Sequence, residues 1–136
     1  MKNIILCQGR DHKVELGFNV EKEDVPSKGD AQVNVVISSH GLSGRHTVWV
    51  EATVVDDFSK SLVEVLKARR GQAVLTSISP NELTLSIEAV GRRGHVAICG
   101  QMSHIVRDGE HSFQHSMTFG FEIDAEHFEK GVGSLI

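Results

Sequence analysis

Eight histidines in 136 residues form a dense set of groups that bind metals and move protons near neutral pH. Three of them, His104, His111 and His115, flank Asp108-Gly109, the strongest hairpin signal in the chain. A two-residue loop at Asp108-Gly109 puts His104 opposite Phe113, with His111 and His115 as its diagonal neighbours on one face. Diagonal Cα separations on adjacent strands are about 7–8 Å, within reach of a shared Zn²⁺. A metal-bound imidazole is normally oriented by a carboxylate or carbonyl, yet Glu110 falls on the opposite face in this register. The chain has no HExxH and no CxxC…H spacing. His104, His111 and His115 are therefore named as metal candidates, but the reading adopted has no cofactor and leaves them lining a half-exposed hairpin tip.

Acid–base and nucleophilic chemistry find less support. Asp56-Asp57 stands where a helix would be capped, and Glu23-Asp24 lies in a charged loop. Glu122 and Asp124 share a strand face and are followed by Glu126 and Glu129. General acid–base work would need one of these carboxyls raised by burial or like charge. An acidic surface for a basic partner needs neither. There is no GxSxG, and the neighbours Ser103 and His104 point to opposite faces of a strand. Cys7 and Cys99 are far apart without a CxxC motif, which reads as two buried, reduced thiols. Gly91-Arg92-Arg93-Gly94 reads as a hairpin tip. Trp49, the only tryptophan, is either covered by a second layer or exposed as an interface anchor, a role in which aromatic residues are enriched. The chain is read as a binding protein, not an enzyme.

Strands must position these groups, because the dominant period is two. Ile4 to Gln8, Lys13 to Val20, Gln32 to Ser39 and Arg45 to Val55 read as strands, and Glu21 to Asp30 as a loop. Phe58, Leu62, Val65, Leu66 and Arg69 recur at three- and four-residue spacing, giving an amphipathic helix over about 57–70 that Gly71 stops. A meander follows. A loop centred on Arg92-Arg93 pairs Ala89 with Val96, Ile87 with Ile98 and Leu85 with Gly100. The Asp108-Gly109 loop pairs Val106 with His111 and Ile98 with Phe119. All the apolar positions then share one face. Ala125 to Gly131 reads as a short closing helix. The fold class is α+β: a mostly antiparallel, curved sheet of about seven to eight strands in one domain, 1–136, packed with one main helix.

Apolar residues at 40% and charged residues at 24% are ordinary for a globular chain, with no low-complexity linker. No apolar run is long enough to span a membrane, and the opening Met1 to Cys7 is too short for a signal peptide, so a cytoplasmic protein is expected. A net charge of −4 lowers the expectation of nucleic-acid binding.

From about Gly29 onward the layout resembles the WapI-type immunity proteins and related bacterial families. The resemblance rests on Asp30-Ala31-Gln32-Val33-Asn34-Val35 and on the Trp49 strand feeding a helix with Phe58, Leu62 and Leu66. It continues through Glu82 to Ile87, Gly94-His95-Val96 and Phe119 to Asp124 before a short helix. It implies a protein that neutralises a cognate toxin domain by stoichiometric binding, with no catalytic motif to transfer. On this reading Trp49, Glu122, Asp124, Glu126 and Glu129 would contact a basic toxin domain, where opposite charge speeds association. The alternative is a small-molecule-binding or enzymatic domain with a pocket between sheet and helix, opened by Gly100 and Gly120 and lined by His104 and His115. A homodimer through edge strands or Trp49 is a third expectation.

Overall fold

The computed structural model describes residues 2–91 and 93–132, with Lys2 described by its backbone alone; the expected Arg92 turn residue lies outside them. Eight strands and two helices follow in the order β1 (Lys2–Gln8), β2 (His12–Val20), β3 (Ala31–Ser39), β4 (Leu42–Val50), α1 (Ala52–Ala68), β5 (Gln72–Thr76), β6 (Leu83–Val90), β7 (His95–Asp108), β8 (His111–Ile123) and α2 (Ala125–Val132). The α+β class is as expected. The strands divide into two antiparallel sheets, β1-β2-β3-β4 and β5-β6-β7-β8, each a meander and each followed by a helix.

Alternation decides which side chains go inside. Val33, Val35 and Ile37 of β3, Leu83, Leu85 and Ile87 of β6, and Val96 and Ile98 of β7 are almost fully buried, while Asn34, Thr84 and Glu88 between them are exposed. In β1 a bulge between Ile5 and Cys7 breaks this rule, so that Leu6 and Cys7 are both buried. The two sheets contribute to one core, which α1 joins through Phe58, Leu62 and Val65 and α2 through Phe128 and Val132. No helix among the described residues is long and apolar enough to cross a membrane.

The β6–β7 register is the expected one: Ala89 pairs with Val96, Ile87 with Ile98 and Leu85 with Gly100. The β7–β8 register differs by two residues. Val106 pairs with Phe113, His104 with His115 and Ile98 with Phe121. The loop is Gly109-Glu110, closed by Asp108 and His111, and only Gly109 has positive φ (69°). Glycine at the first central position suits a II′ turn, whereas the I′ turn expected at Asp108-Gly109 needs positive φ at both. A two-residue shift keeps every side chain on its face, so burial alone does not reveal it.

The second correction concerns α1, which starts at Ala52 instead of Asp57. Arg45 to Val55 was expected to be one strand, but β4 ends at Val50. Glu51 is the N-cap residue with extended backbone and no side-chain cap of its own. The cap comes from elsewhere: Asp30 Oδ1 accepts the Ala52 N–H at 2.9 Å, from 22 residues earlier in the chain. Asp56 and Asp57 do not cap; they are exposed on the second turn.

Candidate functional site

Glu122 and Asp124, singled out by their spacing, sit where β8 runs into α2. They line a cleft of ≈ 320 Å³ with Cys7, Gly9, Arg10, Asp11 and His12 from the β1–β2 turn, and with Ile123 and His127. The bulge in β1 turns Cys7 inward, and the short link to β2 carries Arg10 and Asp11 out over the β8–α2 junction. Sequence reasoning missed the β1–β2 half of this cleft. No spacing signal joins residues 9–12 to residues 122–127, since the approach is made only when the two sheets pack.

Four side chains at the cleft, Glu122, Asp124, His127 and His12, have hydrogen-bond partners. Glu122 Oε1 accepts from His95 Nδ1 at 2.8 Å. Asp124 Oδ1 accepts the His127 backbone N–H at 2.9 Å and faces His127 Nδ1 at 2.8 Å, so Asp124 is the N-cap of α2. These bonds, the backbone one first, hold the Asp124 carboxyl below the ordinary carboxylate range. His12 Nδ1 lies 2.9 Å from Ser39 Oγ, and its ring stacks on Phe121. Cys7 is 2% exposed, and burial pushes its thiol up to about 11, against a smaller opposing effect of a backbone hydrogen bond at Val14. A thiol that stays protonated at neutral pH is a poor nucleophile.

The remaining acidic residues are more dispersed. Glu126 pairs with Lys130 at 3.3 Å on exposed α2, a contact of small energetic weight. Glu129 is exposed beside Arg69, where α2 meets α1. Trp49 is 44% exposed on β4, away from this cleft, which decides its two expected placements in favour of the surface. Ile78, 47% exposed, donates its N–H to the Trp49 carbonyl at 2.8 Å and lies next to it.

The histidine group differs from the expected triad. His104 and His115 face each other directly across β7–β8, with ring centroids 5.6 Å apart. His111 is at the hairpin end beside Phe113, not diagonal to His104. The third ring near His104 is His46 of β4, stacked on it at 4.8 Å. His46 Nε2 is buried with no hydrogen-bond partner, and Glu82 Oε2 lies 3.7 Å away. No group of three or more metal-ligating side chains among the described residues is arranged to hold an ion.

The pocket expected at Gly100 is filled. A side chain there would collide with the Thr84 carbonyl oxygen and would lie 2.9 Å from Phe119, so this glycine serves close packing and not a cavity. Compared with protein-family models, curated proteins and solved structures, the chain matches none.

Proposed function

We propose that this chain is an immunity-type binding protein that holds a cognate basic toxin domain in a stoichiometric complex. One observation carries the reading: Glu122 and Asp124 line the same cleft as Asp11, so three carboxylates from two distant segments, against the single arginine Arg10, line one opening. Such an opening takes an arginine or lysine side chain, and Glu126 and Glu129 are exposed on the helix that follows it. The net charge of −4 favours the same class of partner. Exposed Trp49 would supply an apolar contact on a second face.

The test is co-purification of the tagged chain from its native host, followed by identification of what accompanies it in equimolar amount. A basic toxin fragment, lost when Glu122 and Asp124 are both changed to lysine, is the expected result. Recovery of the chain alone while the fragment is expressed would sink the proposal.

A second reading places a small cationic ligand in the same cleft, whose volume is at the low end for ligand sites. It predicts that a small cation, and no protein, protects the chain against thermal unfolding.

A further inference from the structure

The β7–β8 hairpin runs past the sheet that carries it. Pairing between β6 and β7 ends at Leu83 and Met102, while β7 and β8 stay paired out to Asp108 and His111. The outer half of β8 is therefore one side of a two-stranded arm, and the six residues from His111 to Ser116 are all exposed. Both faces of the arm carry large apolar groups at the surface, Ile105 at 64% exposure and Phe113 at 51%.

β8 is also an edge strand, last in its sheet. The closing pair of a two-residue hairpin turns its backbone groups inward, and inward and outward positions then alternate. With Asp108 and His111 as that pair, the odd-numbered residues of β8 bond to β7. Ser112, Gln114, Ser116, Thr118 and Gly120 direct their N–H and C=O groups outward. Elsewhere α2 packs against β1, α1 packs against β5, and Ile78 ties β4 at Trp49. Among the described residues no backbone hydrogen bond reaches the outer edge of β8.

Free edges are normally blunted by lysine, proline, an inward charge or a bulge. From His111 to Phe121 the chain has no Lys, Arg, Asp, Glu or Pro, and the β7–β8 register has no shift. The geometry points to a second copy of this chain as the partner of that edge, through antiparallel pairing of β8 with β8. Self-pairing is the fit because between His111 and Phe121 no charge opposes its like, the like pair of Glu110 with Glu122 of the second copy falling where Glu110 is already in the turn outside β8, whereas a basic partner would be drawn to the carboxylates from Glu122 onward. Centred on Ser116, the pairing sets Gln114 against Thr118 and Ser112 against Gly120 of the second copy, joining two four-stranded sheets into one of eight. Phe113 is then set against Phe119 of the second copy. This association does not depend on the toxin-binding reading, whose residues are Asp11 in the β1–β2 turn, Trp49 on β4, and Glu122, Asp124, Glu126 and Glu129.

The test is sedimentation equilibrium of the full chain over a concentration series, with hydrogen exchange read at Gln114, Ser116 and Thr118. A species of twice the 14.9 kDa chain mass is expected, with these amides protected only where the dimer is populated. Ser116→Lys puts two lysines opposite each other and should weaken the dimer by about tenfold or more while leaving the monomer's circular dichroism unchanged. Thr118→Pro removes one outward N–H without touching the β7 ladder and should act in the same direction. A chain that stays monomeric at hundreds of micromolar overturns the proposal. So does a dimer whose outward β8 amides exchange freely, or one that resists both substitutions. Protection that appears only when a different protein is added assigns the edge to that protein and also overturns self-pairing.

Discussion

His12 of β2 and Phe121 of β8 lie face to face, ring centroids 4.2 Å apart and planes 3° from parallel. The pair joins the two sheets at the cleft that holds Glu122 and Asp124. His40 meets the His12 ring edge-on at 4.9 Å, and Ser39 Oγ fixes its Nδ1 side. The cleft is thus framed by a stack, not by loops alone. Phe121→Ala should cost about 2–4 kcal/mol in urea unfolding, since a partly buried ring and its packing are both lost. A double-mutant cycle with His12→Ala should return about 0.5–1.5 kcal/mol of coupling. Coupling near zero would mean that the two rings are held independently.

The two cysteines should separate cleanly by reactivity. Cys7 is buried as expected, but Cys99, expected to be buried too, is exposed on the outward face of β7. A thiol-specific reagent at pH 8 should label Cys99 at once and Cys7 only on unfolding. Because burial raises the Cys7 thiol from 9.0 to about 11, the unfolded chain loses this proton first as pH rises. Stability tied to Cys7 is therefore complete below pH 9 and falls between pH 9 and about 11, by about 2 kcal/mol. Cys7→Ala should flatten that alkaline slope, which urea titrations at pH 8, 9, 10 and 11 would show.

Where a local signal and the fold agree, the sequence was legible. Leu85, Ile87 and Ala89 opposite Gly100, Ile98 and Val96 needed only alternation and a turn, and that pairing is present residue for residue. The register at Asp108-Gly109 is not legible because two adjacent turns bury the same face; the glycine fits both, and backbone φ separates them. The α1 start was hidden because its cap, Asp30, is remote in sequence. Glu122 and Asp124 could be singled out from spacing. Arg10, Asp11 and His12 could not, because only the packing of one sheet on the other brings them near.

Acid should loosen α2 before it unfolds the sheets. The Asp124 carboxyl titrates below its ordinary range because His127 donates to it. Its contribution is present above the unfolded carboxyl's pKa and is lost as pH falls through the depressed folded value. Amide exchange in α2 should therefore accelerate on acidification while β6 and β7 amides remain protected. Asp124→Ala should show the faster α2 exchange already at neutral pH. Unchanged exchange in that variant would show that packing of Phe128 and Val132 holds the helix without its cap.

Gly100, like Gly131 against Ile5, is a glycine at which an added side chain would strike backbone. An added Cβ would meet backbone at Thr84 and Leu85 as well as the Phe119 ring, and backbone in a central ladder cannot yield as a side chain can. Gly100→Ala should destabilise by about 3 kcal/mol or more, at the upper end for overpacking. Gly120→Ala, whose Cβ would lie 3.4 Å from the Cys99 sulfur, should cost under about 1 kcal/mol. Equal effects would mean that β6 and β7 can separate at Gly100.

Asp30 decides where α1 begins, and that can be tested against the local acids Asp56 and Asp57. Its Oδ1 accepts from Ala52 N–H, while Asp56 and Asp57 stand exposed on the next turn. Gly29 before it has φ 92° and sits so close to Ala52 that an added Cβ would lie 2.9 Å from the alanine methyl, so the loop is pressed onto the helix start. Asp30→Ala should cost about 1 kcal/mol, the usual value of a lost cap, and should fray the first turn in amide exchange. Asp30→Asn keeps an oxygen acceptor and should recover most of that loss. Asp57→Ala should be neutral to within about 0.5 kcal/mol, as for exposed sites generally. If Asp57→Ala were the costlier change, the helix would start near residue 57 in solution, and the strand carrying Trp49 would run from Arg45 through Val55.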